Sequence, residues 1–115
     1  MLEKHPIVFK SSGGLDFELN YIYLNSEDHR GDLGPHLYHE TDTLYKKGME
    51  ANLRAILPRQ HYQIEEVILI LGLIPKQAEK AFKKLPRYTA GYNKEDIVKR
   101  LMGGSFYSWK TNIVL

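Results

Sequence analysis

The segment HLYHETD places His36, His39 and Asp42 at successive intervals of three residues. On a helix that spacing puts all three side chains on one side, within reach of a single metal ion or of a shared proton. A metal centre needs more ligands than this segment supplies, and His5, His29 and His61 each stand alone. Surface helix starts often carry His, Glu and Asp, so the trio is the metal candidate of the sequence while the expectation is that no metal is held. Nucleophilic chemistry has still less to work with. The chain has no cysteine, and its serines lie in KSSGG, NSED and GSFYSW, none of them framed by glycines as a nucleophile elbow requires. SSGG is too short to cradle a phosphate and suits a turn better. These absences predict a protein that is not an enzyme and needs no cofactor.

Charge offers more. Residues 1–45 carry three Lys/Arg against eight Asp/Glu, whereas residues 46–115 carry thirteen against six, although the net charge is only +2. Such a split provides a basic surface for nucleic acid or an acidic protein and an acidic surface for a basic partner, or two halves that attract each other. The acidic side centres on NSEDHRGDLGP, where Glu27, Asp28, Arg30 and Asp32 are the candidate partner-binding residues. The basic side centres on LGLIPKQAEKAFKKL and the residues just after it. There Lys76, Lys80, Lys83 and Arg87 follow one another at four, three and four residues, a stripe along one helix face. Lysines so placed would meet phosphates.

The elements that must position these groups follow from periodicity. LDFELNYIYL alternates, with Leu15, Phe17, Leu19, Tyr21 and Tyr23 on one side, as a half-buried strand does. PIVFKS reads as a shorter strand, and Gly13-Gly14 between the two as a tight hairpin turn. A helix is expected over 36–57, with Gly48 a point where it could break and Pro58 its end. Over 63–72 the apolar residues fill every side, which predicts a buried central helix with Glu65 and Glu66 in its first turn. Pro75 opens the next helix, with Ala78, Ala81, Phe82 and Leu85 inward and Pro86 closing it. RYTAGY reads as a connecting loop. Asn93 caps a last helix, with Asp96 as its reciprocal partner in a capping box. The tail SFYSWKTNIVL alternates and is expected to form a terminal strand over 105–115 that could join the hairpin.

Residues 63–103, QIEEVILILGLIPKQAEKAFKKLPRYTAGYNKEDIVKRLM and the glycine after it, resemble the UBA-like three-helix module at the C-terminus of the Holliday-junction branch-migration subunit RuvA. The likeness rests on Leu71-Gly72, Pro75, Ala78, Phe82, Leu85, Ile97 and Leu101. In that family the module docks a motor ATPase, so the resemblance implies protein docking. The same residues also read as a helix-turn-helix, with Gly72 in the turn and the helix after Pro75 entering the major groove. Two features count against that second reading: Ile68 is large for the helix crossing, and Gln77 is the one residue of the helix suited to base readout.

The expected architecture is a single α+β domain. A β-hairpin and acidic loop occupy 1–35, a helix 36–57, a three-helix module 63–104 and a strand 105–115. With no stretch near the roughly 20 apolar residues of a membrane span, no secretory leader and no cysteine, a cytoplasmic, membrane-free protein is expected. The expected function is non-catalytic binding of a protein partner, as an adaptor or regulator. A toxin-neutralising immunity protein and a DNA-binding helix-turn-helix regulator are the alternatives.

Overall fold

The computed structural model describes residues 2–25 and 39–107. Strands β1 (Glu3–Pro6) and β2 (Tyr21–Leu24) pair antiparallel, with Glu3 opposite Leu24 and Pro6 opposite Tyr21. The hairpin is therefore real but begins earlier and ends sooner than alternation suggests. PIVFKS is strand only at Pro6, and LDFELNYIYL only from Tyr21 onward. Gly13-Gly14 is not a tight two-residue turn. It lies within a 7–20 connection that contains two short 3-10 turns, Lys10–Ser12 and Glu18–Asn20. Backbone geometry explains why. Gly13 sits at φ 91°, and a Cβ on Gly14 would fall 1.9 Å from the Val8 carbonyl oxygen, so the chain folds back on itself here rather than running straight. Phe17 is consequently buried in the core from a loop, not from a strand.

Helix α1 (His39–Ile56) runs unbroken through Gly48, which is exposed and has nothing near it to disturb. Met49, Leu53 and the following Leu57 form its buried side. Glu50 is also fully buried there. Its Oε1 accepts the Tyr107 N–H at 2.6 Å and its Oε2 accepts from Arg54, so the buried carboxylate ties residue 107 to the helix.

Three short helices follow: α2 (Ile64–Leu71), α3 (Pro75–Phe82) and α4 (Lys94–Leu101). The first turn of α2 is closed by Glu66, whose Oε1 accepts the Gln63 N–H at 2.9 Å. Gly72 ends it in the left-handed region at φ 67°. The expectation of a helix buried on every side fails, because only Val67 and Leu71 of α2 are fully covered while Leu69 is 86% exposed. RYTAGY is a connecting loop as far as Gly91, but its last residue is strand. Tyr92–Asn93 forms strand β4, paired antiparallel with β3 (His61–Tyr62), and Tyr88 and Gly91 bridge to close the turn between α3 and β4. Asn93 does cap α4, but its side chain accepts from the Glu95 N–H at 2.8 Å, one residue short of Asp96. This small ladder holds the starts of α2 and α4 together, a long-range constraint that local periodicity does not encode.

One core joins these pieces: Ile7, Val8 and Phe17 from the N-terminal segment, Met49 and Leu53 from α1, and Val67, Ala78, Phe82, Ile97 and Leu101 from the three helices. The architecture is α+β. The terminal strand expected over 105–115 falls mostly outside the described residues, and 105–107 are not strand.

Candidate nucleic-acid interface

Helix α3 divides sharply into two faces. Ala78, Ala81 and Phe82 are buried, and the two alanines let the helix backbone lie close to its neighbours. On the other side Lys76 and Lys80 are exposed; the helix ends at Phe82, short of the expected stop at Pro86, and the exposed Lys83, Lys84 and Arg87 continue the row in the turn and loop beyond it. Glu79 is the one carboxylate on this face. None of the five cations has an ion-pair partner among the described residues. The bridges seen there engage other cations: Lys46 with Asp42, Arg54 with Glu50 and Glu95, and Arg59 with Glu66. Like charges one helical turn apart repel by a few tenths of a kcal/mol per pair. An anion laid along the row would remove that repulsion.

Local geometry presents the face in a definite way. α2 and α3 are separated by the three residues 72–74, with Gly72 left-handed and the Leu73 N–H bonded to the Ile68 carbonyl at 3.1 Å. Val67, Leu71, Leu73, Ala78 and Ala81 are all buried, which is the apolar seam a helix-turn-helix needs. Ile68, the large residue at that seam, is only half buried. Beyond α3, residues 87–90 form an exposed arm that starts with Arg87 and Tyr88. The Tyr88–Gly91 bridge and an edge-on contact of Tyr88 with His61, ring centroids 5.9 Å apart, anchor it to the β3–β4 ladder.

Gln77 lies elsewhere than a base-reading role requires. Its Oε1 accepts the Asp16 N–H at 3.0 Å, which fastens the N-terminal connection to α3. With that amide oxygen engaged, Lys76 and Lys80 are the cations of the exposed helix face, and lysines bind phosphate as point charges more readily than they read bases.

The other sequence candidates fall largely outside the described residues. Glu27, Asp28, Arg30, Asp32 and His36 lie outside the described residues. His39 and Asp42 stand in the first turn of α1, where His39 Nε2 approaches Thr43 Oγ1 at 3.4 Å and Asp42 pairs with Lys46 at 2.9 Å. No group of three metal-ligating side chains occurs among the described residues, and no helix among them is long and apolar enough to cross a membrane. Sequence reading missed Lys84, which is off the helical spacing and joins the exposed cations from the turn after α3. It also missed Lys10, from the N-terminal connection, and Arg100, from α4, which line a cleft with Lys80.

No family model matches the chain, and no curated protein or solved structure shows significant similarity to it.

Proposed function

We propose that the protein binds duplex DNA without catalysis, laying the exposed face of α3 and the arm at 87–90 against the phosphate backbone. The observation that carries this reading is the exposed run of five cations, Lys76 and Lys80 on the second helix of a helix-turn-helix arrangement and Lys83, Lys84 and Arg87 in the segment just after it, none with an ion-pair partner among the described residues. Because Gln77 is held by Asp16, affinity would come chiefly from phosphates, with little preference among sequences. Fluorescence anisotropy with duplexes of random and fixed sequence tests it. The reading predicts binding of all of them within about a factor of ten, and its loss in a Lys76→Glu, Lys83→Glu, Arg87→Glu variant that stays folded. Undiminished binding by that variant would dispose of it.

A second reading is favoured by a different surface. Leu69, Ile70 and Ile74 are exposed at the end of α2 and in the turn after it, the kind of apolar patch that marks protein contact. This is where the UBA-like resemblance leads, to an adaptor docking a protein partner. Leu69→Glu with Ile70→Glu would abolish nuclease-resistant capture of such a partner and spare DNA binding. If capture survives those substitutions, the patch is not the docking surface.

A further inference from the structure

A cleft of about 450 Å³ opens between the N-terminal connection and helices α3 and α4, within the size range of small-molecule sites. Val8, Leu15 and Ala81 supply apolar wall, and Lys10, Lys80 and Arg100 bring three cations to it. Asp16 is the one carboxylate in the lining, and its Oδ1 already accepts the Tyr21 hydroxyl at 2.9 Å. Lys10 and Lys80 have no acidic partner among the described residues. Arg100 is fixed in place: its Nη1 donates to the Gly13 carbonyl at 2.9 Å. That bond uses one of five guanidinium N–H groups, leaving donors in a fork suited to a carboxylate or phosphate.

The walls are also tied together before any ligand arrives. Asp16 N–H to Gln77 Oε1 joins them at one edge, and Arg100 to Gly13 at another. Gly14 cannot be replaced without moving the Val8 carbonyl, since a Cβ there would stand 1.9 Å from it, and Gly13 holds φ 91°. The connection is thus shaped to bring its backbone close to α4. Much of the ordering that a mobile loop would undergo on binding is already done.

We infer that this cleft is a binding site for a small organic anion, a carboxylate or phosphate ester with a compact apolar body, gripped by Arg100, Lys10 and Lys80. Lys80 belongs to both surfaces, but Lys10 and Arg100 lie off the row that would face DNA, so their substitution tests the cleft without touching the rest of that row.

The test is a titration of the full chain followed by amide NMR shifts. The probes are inorganic phosphate, glycerol 3-phosphate, citrate and benzoate, with glycerol as the uncharged control. The result expected is saturable binding of at least one organic anion and none of glycerol, with the largest shifts at Gly13, Gly14, Asp16 and Gln77. Lys10→Ala, a change at an exposed side chain, is expected to weaken it about tenfold, and Arg100→Lys by more. Absence of saturation by every anion at about 10 mM would overturn the inference. So would shifts confined to Lys83, Lys84 and Arg87, which would mean that the anions mimic DNA phosphate, or affinity unchanged by Lys10→Ala and Arg100→Lys together. Preference for glycerol 3-phosphate over citrate and benzoate would assign a phosphate ester, and the reverse a carboxylate.

Discussion

Asn20 pairs with Val8 through its side chain as a neighbouring strand would through its backbone. Its Oδ1 accepts the Val8 N–H at 2.8 Å and its Nδ2 donates to the Val8 carbonyl at 3.0 Å, with a further bond to the Leu15 carbonyl at 2.8 Å. The ladder between β1 and β2 stops at Pro6 and Tyr21, and this buried amide satisfies the backbone groups that follow.

Asn20→Ala would strand one N–H and two carbonyls in or near the core. A loss of about 3 kcal/mol is expected in urea denaturation. Asn20→Asp keeps the acceptor but loses both donors, so it should destabilise at neutral pH at least as much. A loss below about 1 kcal/mol for both variants would show that the amide does not organise the connection.

Two glycines with opposite surroundings should behave oppositely. Gly48 sits exposed inside α1 with nothing within 4 Å of an added Cβ, so Gly48→Ala should stabilise by about 1 kcal/mol. Gly91 holds φ 110°, and an added Cβ would lie 2.4 Å from the Tyr62 carbonyl oxygen. Gly91→Ala is expected to lower the melting temperature by several degrees, equivalent to about 2 kcal/mol or more. Equal melting temperatures for the two variants would contradict the geometry at both sites.

These cases mark what the sequence made legible. The first part of the α3 row could be read directly, because Lys76 and Lys80 follow helical spacing against Ala78, Ala81 and Phe82; its extension through Lys83 to Arg87 could not, since the helix ends at Phe82 before Pro86 forces it to. The strand assigned to LDFELNYIYL could not, since alternation is satisfied equally by a loop whose Phe17 turns inward under the pull of Asn20 and Gly14. Exposure of Leu69 was hidden for a related reason: composition says a helix is apolar, but only the packing says which of its sides found a neighbour. The β3–β4 ladder joins residues about thirty positions apart, beyond any local pattern.

Glu50 gives the third stability prediction. It is fully buried and holds both Arg54 and the Tyr107 N–H. Glu50→Ala leaves a part-buried backbone donor, a half-paired guanidinium and an empty place in the core, and a cost of about 3 kcal/mol is expected. Amide exchange at Tyr107 should accelerate in the same variant by more than exchange in α3. Uniform acceleration would mean that Glu50 acts on the whole core rather than as the anchor of residue 107.

Acid sensitivity should trace in part to Glu66. The Gln63 N–H, and then the Arg59 guanidinium, hold its carboxyl below the usual carboxylate range. A depressed folded value means that the contribution to stability is complete above the unfolded value, near 4.5, and is lost as pH falls through the lower folded one. The melting-temperature gap between the native chain and Glu66→Gln should therefore be widest at neutral pH and narrow as pH drops below about 4. A gap that stays constant with pH would remove the charge of Glu66 from the explanation.

The most direct measurement for the binding function is the salt dependence of duplex affinity for the native chain and for single Lys76→Ala, Lys83→Ala and Arg87→Ala variants. If the α3 row meets phosphates, log K falls linearly with log salt, and each substitution flattens the slope by about 0.9 while weakening all duplex sequences alike. A salt-independent affinity, or slopes that none of the three substitutions changes, would contradict a phosphate-binding role for α3.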